Sequence, residues 1–388
     1  MKKILAVTYG AGHANMVIPV ALRLQELGYE VVVLALTTAW GPVSRAGLQT
    51  IGFRDFVQGD ASILDLGREL VGTVEAHSDV HPEETLAYLG LSYKCLEAQL
   101  GVEGAREAYE QKGRQAFLPV EILNRVFDEL QPDLILATNS PRAERAAVLV
   151  AKERHIPAVV VVDLMPQSEV EWLRDPGYGN VVCVLSEGVK QRLIDAGRPE
   201  SEVVVTGNAA FDELFLMDEK AERAAWRRKF GFSEEDRVLL FASQPDRYQY
   251  LGTTIGTQLV EFGKACGWNV VVRPHPNEQF DPGGLPCGTP VSDRDDSLWG
   301  ALAGCDACVV VSSSVGLQAA ILGKPMVTLD IPVFADPAPF ATMGIGRVAQ
   351  TVKGVFDVLG SELDFGSFES GPATMRVVRV VESLLEGR

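Results

Sequence analysis

Short runs of apolar, mostly β-branched residues recur along the chain, and each is followed by a turn signal and a helical pattern. This alternation predicts βα units that build parallel sheets. Because the runs are apolar at consecutive positions, helices are expected to cover both faces of each sheet. The predicted strands are 2–9, 30–36, 133–138, 158–164, 181–186 and 202–207, followed by a second series at 237–243, 269–276, 307–314 and 325–331.

The two series predict two α/β domains. We place the boundary so that residues 1–210 form an N-terminal Rossmann-like domain and residues 211–388 form a C-terminal one. Residues 373–388 have helical periodicity and are expected to pack back on the first domain. Residues 60–128 read as several helices, more than one crossover needs, so they predict a helical insertion. Such an insertion either shapes a site or an oligomer contact, for example of a homodimer, or only adds core as a cap.

Composition narrows the class of protein. The formal net charge of −17 disfavours a nucleic-acid partner, because phosphate backbones are held by clustered Lys and Arg. Six scattered cysteines and the absence of a leader-like start favour a cytoplasmic compartment. No stretch approaches the roughly 20 apolar residues of a membrane span, which leaves peripheral contact as the only membrane association expected. The pair Cys305 and Cys308 lacks a second pair, so we predict no metal site there.

Gly10-Ala11-Gly12-His13 follows the first predicted strand and leads into a helix. Glycines there permit a tight turn and close ligand approach at the carboxyl edge of the sheet. His13 is thereby predicted to act as a general base for a hydroxyl, with backbone hydrogen bonding in a polar turn as the alternative.

Thr138-Asn139-Ser140-Pro141-Arg142-Ala143-Glu144 follows the third strand. Asn139, Arg142 and Glu144 are candidates for binding an acceptor or sugar. The equal alternative is a helix cap by Asn139 or Ser140, with Arg142 and Glu144 facing solvent. By position alone, Asp163 and the later Gln167, Glu169 and Glu171 are further candidates.

Two motifs stand at the C-terminal ends of strands in the second series. The run Ser312-Ser313-Ser314-Val315-Gly316-Leu317-Gln318 places small hydroxyls at a helix start, a natural cradle for phosphates, although one serine is explained by ordinary capping. Arg273 and His275, in Arg-Pro-His-Pro, are expected on one face, addressing an anionic group. A rigid loop with an exposed charge is the alternative.

The order of these motifs resembles the GT-B superfamily of nucleotide-sugar glycosyltransferases and the related UDP-N-acetylglucosamine 2-epimerases. The residues that carry the resemblance are the GAGH turn, SEGVKQRLIDAGRPESEVVVTGNAAFD at 186–212, RPHPNE at 273–278 and SSSVGLQAAILGKPMVTLD at 312–330. The HP pair and the serines also resemble motifs of bacterial sialyltransferases and polyol-phosphate transferases, whose donors are cytidine nucleotides.

The resemblance implies two Rossmann-like domains facing across a cleft, with the nucleotide on the second and the acceptor on the first. It implies transfer of a sugar, from UDP by preference, to a glycan or lipid-linked glycan in bacterial surface polysaccharide or glycoconjugate synthesis. The catalytic candidates are then His13, Glu144 and Arg142, and the donor-binding candidates are Gly12, Arg273, His275, Ser312, Ser313, Ser314, Gly316 and Gln318. Neither a metal nor a tightly bound cofactor is expected. A UDP-sugar 2-epimerase or hydrolase is one alternative function, and a non-catalytic nucleotide-sugar-binding protein is another.

Overall fold

The computed structural model describes residues 1–71, 80–245, 251–278, 280–331, 340, 344–361, 368 and 371–387. Within these ranges the chain forms two compact units. Unit 1 comprises residues 1–212 with 372–388, and unit 2 comprises residues 213–371. Each unit contains one sheet, and every strand pair in both sheets is parallel.

The strands follow the apolar runs of the sequence because the interior of each sheet excludes water from both faces. The strands of unit 1 are β1 (Lys3–Tyr9), β2 (Glu30–Leu36), β3 (Gln49–Ile51), β4 (Leu134–Thr138), β5 (Ala158–Val161), β6 (Val181–Val184) and β7 (Val203–Val205). The strands of unit 2 are β8 (Val238–Ala242), β9 (Asn269–Arg273), β10 (Ala307–Val310), β11 (Met326–Leu329) and β12 (Arg347–Ala349). The predicted α/β fold class is thereby confirmed.

Helices connect the strands and cover the sheets. They are α1 (Ala11–Glu26), α2 (Trp40–Arg45), α3 (Ala61–Val71), α4 (Pro82–Lys112), α5 (Val120–Leu130), α6 (Ala143–Glu153), α7 (Val170–Leu173), α8 (Glu187–Asp195), α9 (Glu219–Phe230), α10 (Gly256–Ala265), α11 (Leu298–Gly304), α12 (Ser314–Ile321), α13 (Val352–Leu359) and α14 (Thr374–Leu385). Helices α3, α4 and α5 account for the predicted helical insertion. No described helix is both long and apolar enough to cross a membrane.

Strand order creates a switch point in each sheet. In unit 1 the order is β3-β2-β1-β4-β5-β6-β7, so the chain reverses its direction of travel across the sheet between β1 and β4. In unit 2 the order is β12-β11-β10-β8-β9, and the reversal lies between β8 and β10. Open α/β sheets bind ligands outside the carboxyl ends of the strands at such points.

Helix α14 belongs to unit 1, although the whole of unit 2 precedes it in the chain. Val377, Val378 and Val381 on α14 are fully buried in the cluster that contains α1 and the first sheet. The carboxylate of Asp212 accepts hydrogen bonds from the backbone N–H groups of Ala373 and Thr374, at 2.6 and 2.8 Å. A negative charge at the start of α14 complements the helix dipole and satisfies two otherwise unpaired donors.

Several sequence-based strand ends were too long. The predicted strand 269–276 ends at Arg273, because Pro274 has no N–H for the ladder. The strand predicted over 307–314 ends at Val310. Strands β3 and β12 were not predicted at all, since each is a three-residue edge strand with little apolar pattern.

Candidate functional site

His13 lies at the switch point of the first sheet, in the first turn of α1. Gly10, which precedes the helix, has φ +86°, a left-handed conformation that favours glycine and lets the chain turn sharply out of β1. Because α1 starts immediately after that turn, the His13 side chain reaches the residues that follow β4. Within the described part of the chain its contacts are with side chains, whereas the polar-turn alternative expects contacts with the backbone.

Three polar side chains surround the His13 imidazole. Its Nδ1 lies 3.0 Å from Thr138 Oγ1 and 3.7 Å from Glu144 Oε1, and its Nε2 lies 3.6 Å from Asp163 Oδ2. Burial alone lowers the pKa of His13, but the carboxylates of Asp163 and Glu144 outweigh burial and raise that pKa to about 9. The imidazolium form is therefore the stable one at neutral pH.

Glu144 is fully buried at the start of α6. Its Oε1 accepts hydrogen bonds from the backbone N–H of Tyr9 at 2.6 Å and from Thr138 Oγ1 at 3.3 Å. Its Oε2 is buried and has no hydrogen-bond partner in the described part of the chain. The alternative in which Glu144 faces solvent is wrong, and the residue instead joins β1, β4 and α6 behind His13.

Asp163 follows β5 and is fixed by its neighbours. Burial favours its neutral form, but the nearby His13 imidazole and a hydrogen bond from the Leu164 N–H outweigh that effect and lower the pKa of Asp163. The side chain of Asn139 accepts a hydrogen bond from the Asp163 N–H at 3.0 Å, and Asn208 donates to the Asp163 carbonyl at 2.5 Å. Asn139 thus orients Asp163 and caps no helix.

Arg142 occupies a different place from the other catalytic candidates. Its guanidinium lies 4.1 Å from the centre of the Tyr9 ring, in a cation–π contact. The same ring also lies 5.2 Å, between centroids, from Tyr88 on helix α4 of the insertion. The insertion therefore packs against the same edge of the sheet that carries His13.

A cavity of about 640 Å³ opens at the switch point of the second sheet. Its described lining is Ala242, Ser243, Gln244, Pro245, Arg273, Pro274, His275, Pro276, Leu298, Ser312, Ser313, Ser314 and Val315. No acidic residue is among these lining residues, although the chain as a whole carries a net charge of −17. The volume is in the range of small-molecule sites, and the lining suits an anion.

The three serines have three different local roles. Ser313 is the N-cap of α12, and its Oγ accepts a hydrogen bond from the Val315 N–H at 3.3 Å. Ser312 donates both its N–H and its hydroxyl to Gln244 Oε1, at 2.8 and 2.7 Å. Ser314 is exposed, and its hydroxyl makes no hydrogen bond to any described residue.

Arg273 and His275 both line the cavity, but the terminal nitrogens of Arg273 and the Nδ1 of His275 already have hydrogen-bond partners. The guanidinium of Arg273 donates to Ser292 Oγ at 2.8 Å and to the carbonyls of Asp293 and Asp296 at 3.2 and 3.1 Å. His275 Nδ1 accepts a hydrogen bond from the Asn277 N–H at 3.1 Å, which in the neutral ring leaves the proton on Nε2. Arg273 is thus neither an exposed charge nor a fully available anion ligand.

Three other donor-binding candidates lie away from the cavity lining. A Cβ on Gly316 would come within 2.6 Å of Val310 Cγ2, so this glycine allows α12 to pack on β10. Gln318 is half-buried further along α12. Gly12 belongs to α1 in unit 1, where a Cβ would meet no heavy atom within 4 Å.

Sequence reasoning missed Ser243 and Gln244 altogether. Both directly follow β8, as Ser312 follows β10, and that position at a strand end was the available signal. The cysteines that were excluded as ligands are free buried thiols; burial raises the pKa of Cys305 to about 12 and raises that of Cys308 well above its usual value. The described residues include no group of three His, Cys, Asp or Glu side chains with metal-ligand spacing.

Comparison with known proteins identifies the fold. No protein-family model matches the chain, and no curated protein matches its sequence. A UDP-GlcNAc 2-epimerase from Neisseria meningitidis, solved with UDP-GlcNAc bound, is 15% identical over 100% of both chains, with a TM-score of 0.55. A putative UDP-N-acetylglucosamine 2-epimerase from Listeria monocytogenes is 13% identical over 100% of this chain and 98% of that one, with a TM-score of 0.59. The glycotransferase of kitacinnamycin is 15% identical over 99% of each chain, with a TM-score of 0.55.

The chain has the GT-B fold. The resemblance inferred from the sequence motifs is confirmed at the level of the fold. Since both epimerases and a glycosyltransferase share this fold, the fold alone does not determine the activity.

Proposed function

We propose that the chain is a glycosyltransferase that moves a sugar from a nucleotide-activated donor, a UDP-sugar by preference, to an acceptor hydroxyl. The observation that carries the proposal is the His13 imidazole held against Asp163 and Glu144, at 3.6 and 3.7 Å. A histidine that takes a proton from a hydroxyl becomes an imidazolium, and adjacent carboxylates stabilise that product and fix the ring.

The proposed reaction assigns the donor to the cavity of unit 2. The nucleotide diphosphate binds among Ser313, Ser314 and the other neutral donors of the lining, and no metal or tightly bound cofactor is invoked. His13 accepts the proton of the acceptor hydroxyl while that oxygen attacks the anomeric carbon. The bond from the anomeric carbon to the donor phosphate breaks, and its electron pair leaves with the nucleotide diphosphate. Fixed donors stabilise the charge that develops on the leaving group.

The raised pKa of His13 gives the proposal a definite pH dependence. A histidine that acts as a base must be neutral. Because the pKa of His13 is about 9, its imidazole is mostly neutral only when the pH exceeds about 9. We therefore expect kcat/KM to rise with pH and to level off above pH 9, since kcat/KM reports the pKa of the free enzyme.

Donor binding is tested by a thermal-shift panel of UDP, CDP, CMP, GDP and their common sugar conjugates, since a ligand of the folded state raises the melting temperature. Ser313→Ala and Ser297→Ala form a matched pair. Each serine caps a helix of unit 2 through its side chain, but only Ser313 lines the cavity. Both variants should lose about 1 kcal/mol of stability, and only Ser313→Ala should lose the nucleotide-induced shift.

If none of the nucleotides raises the melting temperature, the donor assignment is wrong. A shift with one nucleotide and no turnover with any sugar conjugate and acceptor would favour the non-catalytic binding protein. If a nucleotide raises the melting temperature of wild type and of Ser313→Ala equally, Ser313 does not bind the nucleotide, and the nucleotide binds elsewhere.

The second candidate is a UDP-sugar 2-epimerase or hydrolase. The geometry in its favour is the 3.6 Å separation of His13 Nε2 and Asp163 Oδ2, which raises the pKa of His13 and lowers that of Asp163. The pair therefore offers a proton donor and a proton acceptor at one site. Incubation of UDP-N-acetylglucosamine with the protein alone separates the candidates. Release of UDP or formation of the C2 epimer without an acceptor supports the second, and strict dependence on an acceptor supports glycosyl transfer.

A further inference from the structure

We propose that Gln244 is the side chain that presents a hydrogen-bond donor to the anion in the cavity of unit 2, and that Ser312 is its positioning residue. This assignment rests on the proposed function and refines it. It also changes the role of Ser312, which the sequence motif suggested as a direct phosphate ligand.

The topology of the second sheet brings the two residues together. Strands β8 and β10 are neighbours at the switch point, with Ala242 paired to Val310 at their carboxyl ends. Gln244 lies two residues beyond the first strand and Ser312 lies two residues beyond the second. The Gln244–Ser312 contact therefore spans the crevice in which sheets of this strand order bind ligands.

The contact fixes the orientation of the Gln244 amide. The backbone N–H of Ser312 can only donate, so the atom that it meets at 2.8 Å must be the amide oxygen. The Ser312 hydroxyl donates to the same oxygen at 2.7 Å. With the oxygen held by two donors, the NH₂ group points away from Ser312, and it has no hydrogen-bond partner among the described residues.

An oriented NH₂ group in this cavity is suited to an anionic oxygen. Gln244 lines the cavity, and the described lining contains no carboxylate that would compete for its protons. Two hydrogen bonds to the amide oxygen polarise the amide and strengthen its N–H donors. The N–H and the hydroxyl of Ser312 both donate to Gln244, so Ser312 acts on the ligand through Gln244. Arg273, the full positive charge in the lining, is tied to the loop at 292–296.

The test measures affinity for UDP, CDP and inorganic pyrophosphate by calorimetry on the full chain. In Gln244→Glu, a carboxylate oxygen still accepts from Ser312, so the fold is retained, but a negative oxygen replaces the NH₂ group. The matched control is Gln258→Glu, which adds the same charge on α10, outside the cavity lining. We expect at least a tenfold loss of affinity in Gln244→Glu for each probe that wild type binds, and less than a twofold change in the control.

The role of Ser312 is tested by a double-mutant cycle. Ser312→Ala removes one of the two bonds that orient the amide and should weaken binding about threefold, whereas Ser312→Thr keeps the hydroxyl and should restore binding. In the Gln244→Glu background Ser312→Ala should have no further effect, because the group that it positions is gone. Additive losses would show that Ser312 contacts the anion directly and would overturn its positioning role.

The outcomes separate this inference from the proposed function. If wild type binds the probes and Gln244→Glu binds them equally well, the assignment of Gln244 is wrong and the donor site stands. If wild type binds none of the three probes, the donor site itself is wrong, and the inference is overturned with it.

Discussion

The two units place polar residues at equivalent edges of their sheets but supply different chemistry there. In unit 1 the edge carries an imidazolium and two carboxylates within 3.7 Å of it, partly or fully buried. In unit 2 the edge carries an oriented amide, small hydroxyls and a cavity whose described lining contains no acid. One fold pattern thus supports a site whose groups are suited to proton transfer and a site whose groups are suited to holding an anion.

The comparison predicts its largest effect at His13. His13→Asn should lower kcat by about 10² to 10⁴, because it removes the group that accepts the proton, while donor affinity should change less than threefold. The matched control is His155→Asn, since His155 is exposed and has φ +57°, a conformation that asparagine tolerates. Measurement of kcat and of the donor dissociation constant checks both. Unchanged turnover in His13→Asn would show that His13 does not accept the proton and would contradict the proposed role of unit 1.

Asp163→Asn tests the unit 1 site through the pH dependence of kcat/KM. The Asp163 carboxylate is the foremost group that raises the pKa of His13, so its removal should move the rising limb of the kcat/KM profile from about pH 9 toward lower pH. Asp195→Asn, an exposed aspartate of unit 1, should leave the profile in place. Activity that falls as pH rises through 9 in wild type would instead identify His13 as an acid.

The pairing of His13 also predicts a pH-dependent contribution to stability. The folded-state pKa of about 9 lies above the ordinary value of 6.5, so the contribution is complete below pH 6.5 and is lost as pH rises through about 9. The free energy of unfolding of wild type minus that of His13→Asn should therefore shrink by about 1 to 3 kcal/mol between pH 6 and pH 10. Urea unfolding at a series of pH values measures it, and a difference that grows with pH would contradict the predicted pairing.

Alanine substitutions of two glycines, one in each unit, should have smaller effects, and these effects are on stability. Gly316→Ala places a Cβ within 2.6 Å of Val310 Cγ2 and should cost about 1 to 3 kcal/mol of stability. Gly12→Ala meets no heavy atom within 4 Å and lies in a helix, so it should be neutral or stabilise the fold by less than about 1 kcal/mol. Thermal unfolding compares the two. If Gly12→Ala unfolds like wild type but loses activity, a ligand approaches this backbone closely.

The sequence was informative about the sheets because burial on both faces leaves a visible apolar run. It failed for β3 and β12, whose three residues at a sheet edge need no such run. His13 and the serine motif were found because polar groups at strand ends are easy to see. The coupling of His13 to Asp163 and the Gln244–Ser312 bond depend on strand order, which brings together residues 150 and 68 positions apart. Local patterns carry no information about that order.

Helix α14 has a consequence for how the protein is made. The residues of α14 that complete the buried cluster of unit 1 are translated only after all of unit 2. Until those residues have been made, the apolar face of α1 lacks part of its cover. A circular permutant that places residues 372–387 ahead of residue 1 through a flexible linker should let the first unit fold as one continuous segment during synthesis.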